Sequence, residues 1–160
     1  MSAELVPLSV NSDDNLRITF TEIGENPLSA AALAAGVDLT YSFRTFDLGE
    51  TQTMTPDKRL ALSQDLSRPG KTAFAPKCQY IFGDTGDVAA ATLTAGVKGH
   101  LTIRYSIPNS TAWTAAQIAD VLTFEAGSQR KDPAVENGQQ TISQDLAAIG
   151  VVQKDQAISA

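Results

Sequence analysis

The sequence has little of the chemistry that enzymes and metalloproteins use. It contains one cysteine, Cys78, and one histidine, His100. One cysteine excludes an intrachain disulfide, and together the two residues cannot build a zinc site from thiolates or from several imidazoles. The neighbours of Cys78 are typical of a strand, so we expect a buried structural thiol. His100 stands at the polar start of a strand and is expected to be structural or solvent-facing, and we predict no cofactor and no metal.

Positive charge and long apolar runs are also scarce. Twelve basic residues stand against eighteen acidic ones, a net charge of −6. Affinity for nucleic acid comes mainly from Lys and Arg, so the composition excludes a DNA- or RNA-binding module. The acidity suits a surface that DNA slides past, or it only aids solubility. No apolar stretch approaches the length of a membrane span, and the first residues lack a secretory pattern. We therefore expect synthesis and folding in a cytoplasm and no membrane contact.

The short motifs that resemble catalytic loops do not assemble into a site. Residues 84–87, Asp-Thr-Gly-Asp, are similar to an aspartic protease loop, but that chemistry needs two carboxylates that share a proton. They lead directly into an alanine-rich segment, where an aspartate is the expected helix cap. Residues 70–72, Gly-Lys-Thr, match the end of a phosphate-binding loop, but Asp65 replaces its first glycine. The chain is predicted not to be an enzyme.

What the sequence does have is period-two alternation of apolar and polar residues, which marks strands with one buried face. Leu101, Ile103 and Tyr105, for example, alternate with Thr102 and Arg104. The pattern predicts a mainly β fold. Strands are expected at residues 16–21, 37–44, 71–82, 101–107, 121–124 and 140–149.

Two short helices are predicted between the strands. Residues 26–36 begin with a capping Asn26 and with Pro27 at the first helical position, continue as an alanine run and end at Gly36. Residues 84–96 repeat the arrangement, with Thr85 or Asp87 as the cap and a terminating glycine. Neither helix is long enough to dominate a single domain of 160 residues.

The polar connecting segments are unusually long. Residues 47–58 lack clear periodicity, and connections of a dozen residues are usually functional or mobile. Residues 127–138 form a second long loop. Residues 1–14 are predicted to be an extended arm, and residues 151–160 an arm or an edge strand. In an oligomer, such segments are natural strand donors to neighbouring subunits.

Trp113 is the only tryptophan and stands in a polar loop. It is expected to be a lid over one end of the core or a subunit contact. A ligand contact, for example to a sugar, is the other use of an exposed tryptophan.

Residues 56–160 resemble the major tail proteins, or tail tube proteins, of siphophages, particularly those of actinobacterial hosts. The order and spacing of several short runs carry the resemblance. These runs are DKRLALSQDLSRPGKT at 57–72, YIF at 80–82, GVKGHLTIRY at 96–105, ADVLTFEAG at 119–127, TISQDL at 141–146 and GVVQKDQAI at 150–158.

The resemblance implies a β-sandwich or barrel-like pair of antiparallel sheets with one or two short helices. It implies hexameric rings of identical subunits, stacked into a virion tail tube through which genomic DNA passes without specific binding. Tape measure and tail terminator proteins are the further partners that it implies. Long loops and terminal arms bridge subunits or rings in such proteins. The corresponding interface candidates here are Leu5, Val6, Leu8, Asp47, Leu48, Glu50, Met54, Asp57, Lys58, Arg130, Lys131, Val151 and Val152.

Two other functions stay open at this point. One is a different self-associating β protein of a virion or injection machine: a decoration protein, a tail terminator or a secreted tube protein. The other is a ligand-binding β-sandwich that uses Trp113 as an aromatic platform. The shape and stoichiometry of the assembly separate the first from a tail tube, and the second predicts a monomer.

Overall fold

A computed structural model describes residues 9–160, which form strands and two short helices. The helices are α1 (Ala30–Ala35) and α2 (Val88–Thr92). The strands are β1 (Leu16–Glu22), β2 (Val37–Asp38), β3 (Phe43–Asp47), β4 (Glu50–Asp57), β5 (Leu66–Phe74), β6 (Lys77–Ile81), β7 (Lys98–Tyr105), β8 (Ile118–Ala126), β9 (Arg130–Lys131), β10 (Thr141–Ala148) and β11 (Gln153–Ala157).

Two antiparallel sheets share strand β10. The first sheet has the order β2-β1-β7-β8, with β11 and the end of β10 beside β8. The second has the order β3-β6-β10-β9. Residues 141–145 of β10 pair with β6, and residues 146–148 pair with β8. The predicted mainly β fold with paired antiparallel sheets and short helices is confirmed, and over residues 9–160 the sheets do not close into a barrel.

The main core lies between these sheets, and most of its residues are apolar members of the alternating strands. Ala89 on α2 and Leu93 just after it also belong to this core. Phe20 and Phe124 meet edge to face with ring centres 6.1 Å apart. Full burial of one large apolar side chain stabilises the fold by about 1.5–3 kcal/mol. The other buried members are Ile18, Leu39, Cys78, Tyr80, Leu101, Ile103, Leu122, Ala126, Ile142 and Leu146.

A smaller cluster covers the outer face of the first sheet. Leu33 of α1, Trp113, Ala119 and Ile158 are buried together there. The indole Nε1–H of Trp113 donates to Thr19 Oγ1 at 3.2 Å. Helix α1 and the loop that follows β7 therefore form a third layer, and Trp113 is buried within the subunit.

Arg104 organises this loop from a fully buried position on β7. Its guanidinium donates to the carbonyl oxygens of Pro108 and Thr111 at 2.9 Å and of Ala112 at 3.2 Å. It lies 4.8 Å from the centre of the Trp113 ring, a cation–π distance. The buried charge is thus stabilised by carbonyl dipoles, with the Gln117 side-chain oxygen at 2.9 Å, and the loop is held against the sheet.

Three sequence predictions about segment boundaries were wrong. Residues 47–58 were expected to be a loop but contain β4. This strand lacks the alternation of apolar and polar residues because neither of its faces is buried. Residues 37–44 were expected to be one strand, but the chain turns after β2 so that β3 joins the other sheet. Residues 71–82 break between β5 and β6 at Ala75 and Pro76; proline has no N–H to donate to a ladder.

Two smaller differences concern loop and helix ends. The loop predicted at 127–138 contains the short strand β9. Helix α1 is preceded by Ser29 and not by Asn26, whose side chain instead accepts the Leu28 N–H at 3.1 Å. Local bonding of this kind competes with helix formation.

Candidate assembly surfaces

Strands β4 and β5 form a hairpin that is separate from both sheets. Their pairing runs from Glu50 opposite Phe74 to Asp57 opposite Leu66. Nearly every side chain on either face is exposed. Eight residues of extended chain span about 26 Å, so the hairpin is a long arm relative to the body of the subunit.

Local interactions explain why this exposed segment is extended. Thr51, Thr53 and Thr55 are β-branched residues that favour strands. Gly70 lies beside a register shift, where a Cβ atom would come within 2.8 Å of the Thr53 carbonyl oxygen. The Asp57 carboxylate accepts bonds from Arg59 and Arg68 at 3.2 and 3.1 Å and joins the two strands near the tip.

The hairpin carries apolar side chains in water. Leu60 at its tip is fully exposed, and Leu62, Leu66 and Met54 are each about half exposed. Single exposed apolar residues are common, but a group of them on an otherwise polar arm makes the hairpin a candidate interaction site.

The root of the hairpin is fixed to the body. The Glu50 carboxylate forms an ion pair with the ammonium of Lys154 on β11. The same ammonium lies 5.7 Å from the centre of the Phe74 ring. Gly49 has a φ of +57°, and a Cβ there would be 2.2 Å from the Ala75 carbonyl oxygen. Only glycine fits this turn, so the direction of the hairpin is set where it leaves β3.

The outer face of the second sheet is polar, and its charges alternate in sign. Lys77 on β6 is the register partner of Asp47 on β3 and of Asp145 on β10. Arg130 on β9 reaches Asp145 with an N–O distance of 2.9 Å. Across the four strands the charges therefore run negative, positive, negative, positive. We call Asp47, Lys77, Asp145 and Arg130 the charge row.

Asp132 holds the chain that follows β9 against the same sheet. Its carboxylate accepts bonds from Thr141 Oγ1 and Ser143 Oγ, both at 2.7 Å, and from Gln79 Nε2 at 2.8 Å. The bonds from Thr141, Ser143 and Gln79, in that order, hold the pKa of the Asp132 carboxyl below its usual value.

An apolar groove opens where the two sheets part. It lies between β1 and the outer edge of β3, and Leu16, Ile18, Phe43, Phe46 and Ile103 line it. Core side chains are thus partly accessible from one side of the subunit.

Comparison with known proteins shows the family to which this chain belongs. Residues 4–160 match the model of a family described as phage tail tube protein. The chain belongs to the phage tail tube protein family. Among curated proteins, no sequence matches this one.

Solved structures share the fold of this tail tube protein. The SPP1 tail tube is 19% identical with a TM-score of 0.58, over 91% of this chain and 79% of that one. The anti-feeding prophage baseplate is 6% identical with a TM-score of 0.59, over 93% and 96%. The tail of an empty GTA particle, refined with C6 symmetry, is 13% identical with a TM-score of 0.55, over 91% and 98%.

The interface candidates of the tail tube protein fall in separate places. Glu50, Met54, Asp57 and Lys58 lie on the hairpin or at its tip, and Asp47 and Leu48 at its root. Arg130 and Lys131 form β9, at the opposite edge of the second sheet from β3. Val152 packs against the main core, whereas Val151 is exposed just before β11. Leu5, Val6 and Leu8, in the predicted arm 1–14, lie outside the described residues.

Sequence reasoning did not select several residues of these surfaces. Leu60, Leu62 and Leu66 form the apolar tip, and Lys77 and Asp145 complete the charge row. The leucines carry a readable signal, because they are apolar residues within a polar stretch. Lys77 and Asp145 carry no such signal in the sequence, because they become part of the charge row only through the order of the strands in the sheet.

The sole cysteine and histidine of the tail tube protein have structural positions. Cys78 is buried, as expected, and burial, with Asp145 adding to it, raises the thiol pKa to about 12. His100 is nearly buried, and its Nδ1 lies 2.9 Å from Thr123 Oγ1. In the part of the chain that the structure describes, no group of three His, Cys, Asp or Glu residues could hold a metal.

The Asp-Thr-Gly-Asp motif forms a turn. The Asp87 carboxylate accepts the Asp84 N–H at 2.8 Å, just before α2 begins. From residue 9 onward, no helix is long and apolar enough to cross a membrane.

Proposed function

We propose that copies of this chain close into six-membered rings, which stack into the tube through which phage DNA passes. The family match over residues 4–160 is the observation that carries this function. The number six is transferred from the sixfold symmetry of two similar assemblies, the GTA tail and the anti-feeding prophage baseplate. Rings of this kind form when different edges of one subunit meet and the rotation closes.

The hairpin is the element that we assign to contacts between copies. Its apolar tip is exposed in a single subunit, and burial of exposed leucines drives association. The root, held by Gly49 and the Glu50–Lys154 ion pair, aims the arm at a neighbour. Residues 1–14, with Leu5, Val6 and Leu8, and residues 151–160 are proposed as further bridging segments.

The chain acts structurally in this proposal and not as an enzyme. Its net charge of −6 disfavours sticking of DNA to the subunits. The tape measure protein inside the tube and the terminator at its end are the proposed further partners. The subunit is made in the host cytoplasm and resides in the virion tail.

A subunit of a DNA-free injection machine is the second candidate. The similar fold of a sheath/tube terminator from an extracellular contractile injection system, which is 12% identical with a TM-score of 0.55, favours it. The carbohydrate-binding alternative loses its support, because Trp113 is only 6% exposed and its ring is occupied by Arg104.

Negative-stain electron microscopy of the purified protein over a concentration series tests the function. We expect hollow tubes or stacked rings with sixfold end views. A monomer at every concentration, also in the presence of preformed tail tips that nucleate growth, would contradict it. DNA inside tubes from intact particles distinguishes a phage tail from an injection machine.

A further inference from the structure

The loop between β9 and β10 is anchored at its base and exposed at its tip. At the base, the Asp132 N–H donates to the Thr141 carbonyl oxygen at 3.0 Å, and the Asp132 carboxylate accepts the hydroxyl bonds already described. Every residue from 133 to 140 is exposed. The tip is therefore a part of the subunit where a chemical change disturbs the fold least.

A single tight turn forms this tip. The Gly138 N–H donates to the Val135 carbonyl oxygen at 3.0 Å. Between them, Asn137 has a φ of +57°, which asparagine adopts more readily than most residues do. A Cβ atom on residue 138 would lie 2.2 Å from Val135 Cγ2 and 3.2 Å from the Val135 carbonyl oxygen, so any larger residue fits only if Val135 moves. The turn thus favours an asparagine followed by a glycine for conformational reasons alone.

The same pair of residues is chemically reactive. Asparagine is a thermolabile residue, and a following glycine has no side chain to hinder attack by its own backbone nitrogen. In that attack, a bond forms between the Gly138 nitrogen and Asn137 Cγ and closes a succinimide ring. The bond from Cγ to Nδ2 breaks, and the side-chain amide leaves as ammonia with the proton of the Gly138 nitrogen. Water then opens the ring at either carbonyl and leaves aspartate or isoaspartate.

Asn109 provides a comparison within the same chain. It is followed by a serine and is half-buried, and its Nδ2 donates to the Tyr41 hydroxyl at 3.1 Å. Asn137 belongs to the one Asn-Gly pair of the sequence and is exposed. Attack at Asn137 requires the bond from Gly138 to Val135 to open, and bonds in exposed turns open at little cost in free energy.

We propose that Asn137 is a site of spontaneous deamidation, through a succinimide formed with Gly138. The reaction needs only the folded subunit and water, so it is independent of the proposed tube. Each event places a new carboxylate beside Glu136 and, in the isoaspartate product, lengthens the main chain at the turn. Because the base of the loop stays anchored, the aged subunit keeps its fold while its net charge becomes more negative.

Incubation of the purified full-length protein at mildly alkaline pH, followed by peptide mapping with mass spectrometry, tests the site. We expect progressive loss of the Asn137 amide, with aspartate and isoaspartate both formed, while the Asn109 amide stays intact. The loss should be faster at higher pH, because removal of the amide proton makes the Gly138 nitrogen the nucleophile. An Asn137 amide that is lost no faster than that of Asn109, or aspartate without isoaspartate, would overturn the proposal.

Asn137→Gly is the matched control variant. Glycine adopts the same backbone conformation, so the turn is retained while the reactive amide is removed. Isoelectric focusing of the intact protein should show acidic species that accumulate with time in the wild type and not in the variant. Acidic species that accumulate equally in both proteins would assign the deamidation to other residues and overturn the proposal.

Discussion

The two-sheet body and the β4–β5 hairpin are both antiparallel β structure, yet different forces hold them. The long strands β1, β6, β7, β8 and β10 of the body each bury at least one face, and their sequences alternate accordingly. The hairpin exposes both faces and depends on its own ladder, on threonine-rich strands and on a fixed root. An isolated two-stranded hairpin is marginally stable in water. The body can therefore fold on its own contacts, whereas the hairpin buries little side-chain surface within the described part of the subunit.

Removing core volume from the body should have the largest effect on folding. Phe124 is fully buried and packs against Phe20. We expect Phe124→Ala to lower the free energy of unfolding by about 3–5 kcal/mol, because the lost burial leaves a cavity. Urea unfolding measures the change. The matched variant Leu60→Ala at the hairpin tip should be neutral, and equal losses in the two would refute the contrast.

Breaking the loop anchor should have the next largest effect. Arg104→Leu leaves the carbonyls of Pro108, Thr111 and Ala112 without their buried donor. We expect a loss of about 2–4 kcal/mol in unfolding free energy and a shift of the Trp113 emission toward longer wavelength. Arg44→Leu is the control, because that side chain is exposed on β3, away from this loop. Unchanged emission would show that Arg104 does not hold Trp113 in place.

The hydrogen bonds that Asp132 accepts from Thr141, Ser143 and Gln79 should make stability depend on pH. The folded-state pKa of Asp132 is lowered, so its contribution is present above the usual carboxyl range and is lost as the pH falls through the folded pKa. We expect Asp132→Asn to be less stable than wild type near neutral pH and the difference to shrink below about pH 4. Urea titrations at several pH values measure this. A difference that stays constant down to acid pH, or that Glu136→Gln reproduces, would argue against the network.

The tip should have the smallest effect on folding and a large one on assembly. Leu60→Ser with Leu62→Ser removes exposed apolar surface, so the unfolding free energy should stay within about 0.5 kcal/mol of wild type. Tube formation seen by light scattering should be strongly reduced, because the buried leucine contacts between copies are lost. Ser63→Ala, a neighbouring change of similar size, is the control. Normal assembly of the double variant would remove the hairpin tip from the interface.

The contrast between the regions also explains what the sequence predicts and what it does not. Strands β1, β7, β8 and β10 were predicted because one face of each packs in the apolar main core and imposes alternation. The other face of β1 and β7 is also buried, but polar side chains occupy it under the third layer. Strand β4 was not predicted, because it has no buried face. It is held by backbone hydrogen bonds to β5, which leave no alternation in the sequence. The resemblance to tail tube proteins was confirmed by the family match.

The charge row shows a second limit of prediction from the sequence. Asp47, Lys77, Asp145 and Arg130 are far apart in the chain. Alternation tells which face a side chain occupies, but it does not tell which strands are neighbours or in what register they pair. Only the strand order β3-β6-β10-β9 brings these four charges into one line.

The single buried thiol has a consequence for the durability of the particle. A tail spends its life outside the cell in oxidising surroundings, where accessible cysteines form disulfides or are oxidised. Cys78 is 3% exposed, and its pKa of about 12 keeps it a thiol and not a thiolate. The described part of the subunit therefore offers no second thiol, and its one thiol is not reactive. A tube built from it would need no reductant to keep this thiol from forming disulfides, and any cysteine introduced on its surface would be a unique chemical handle.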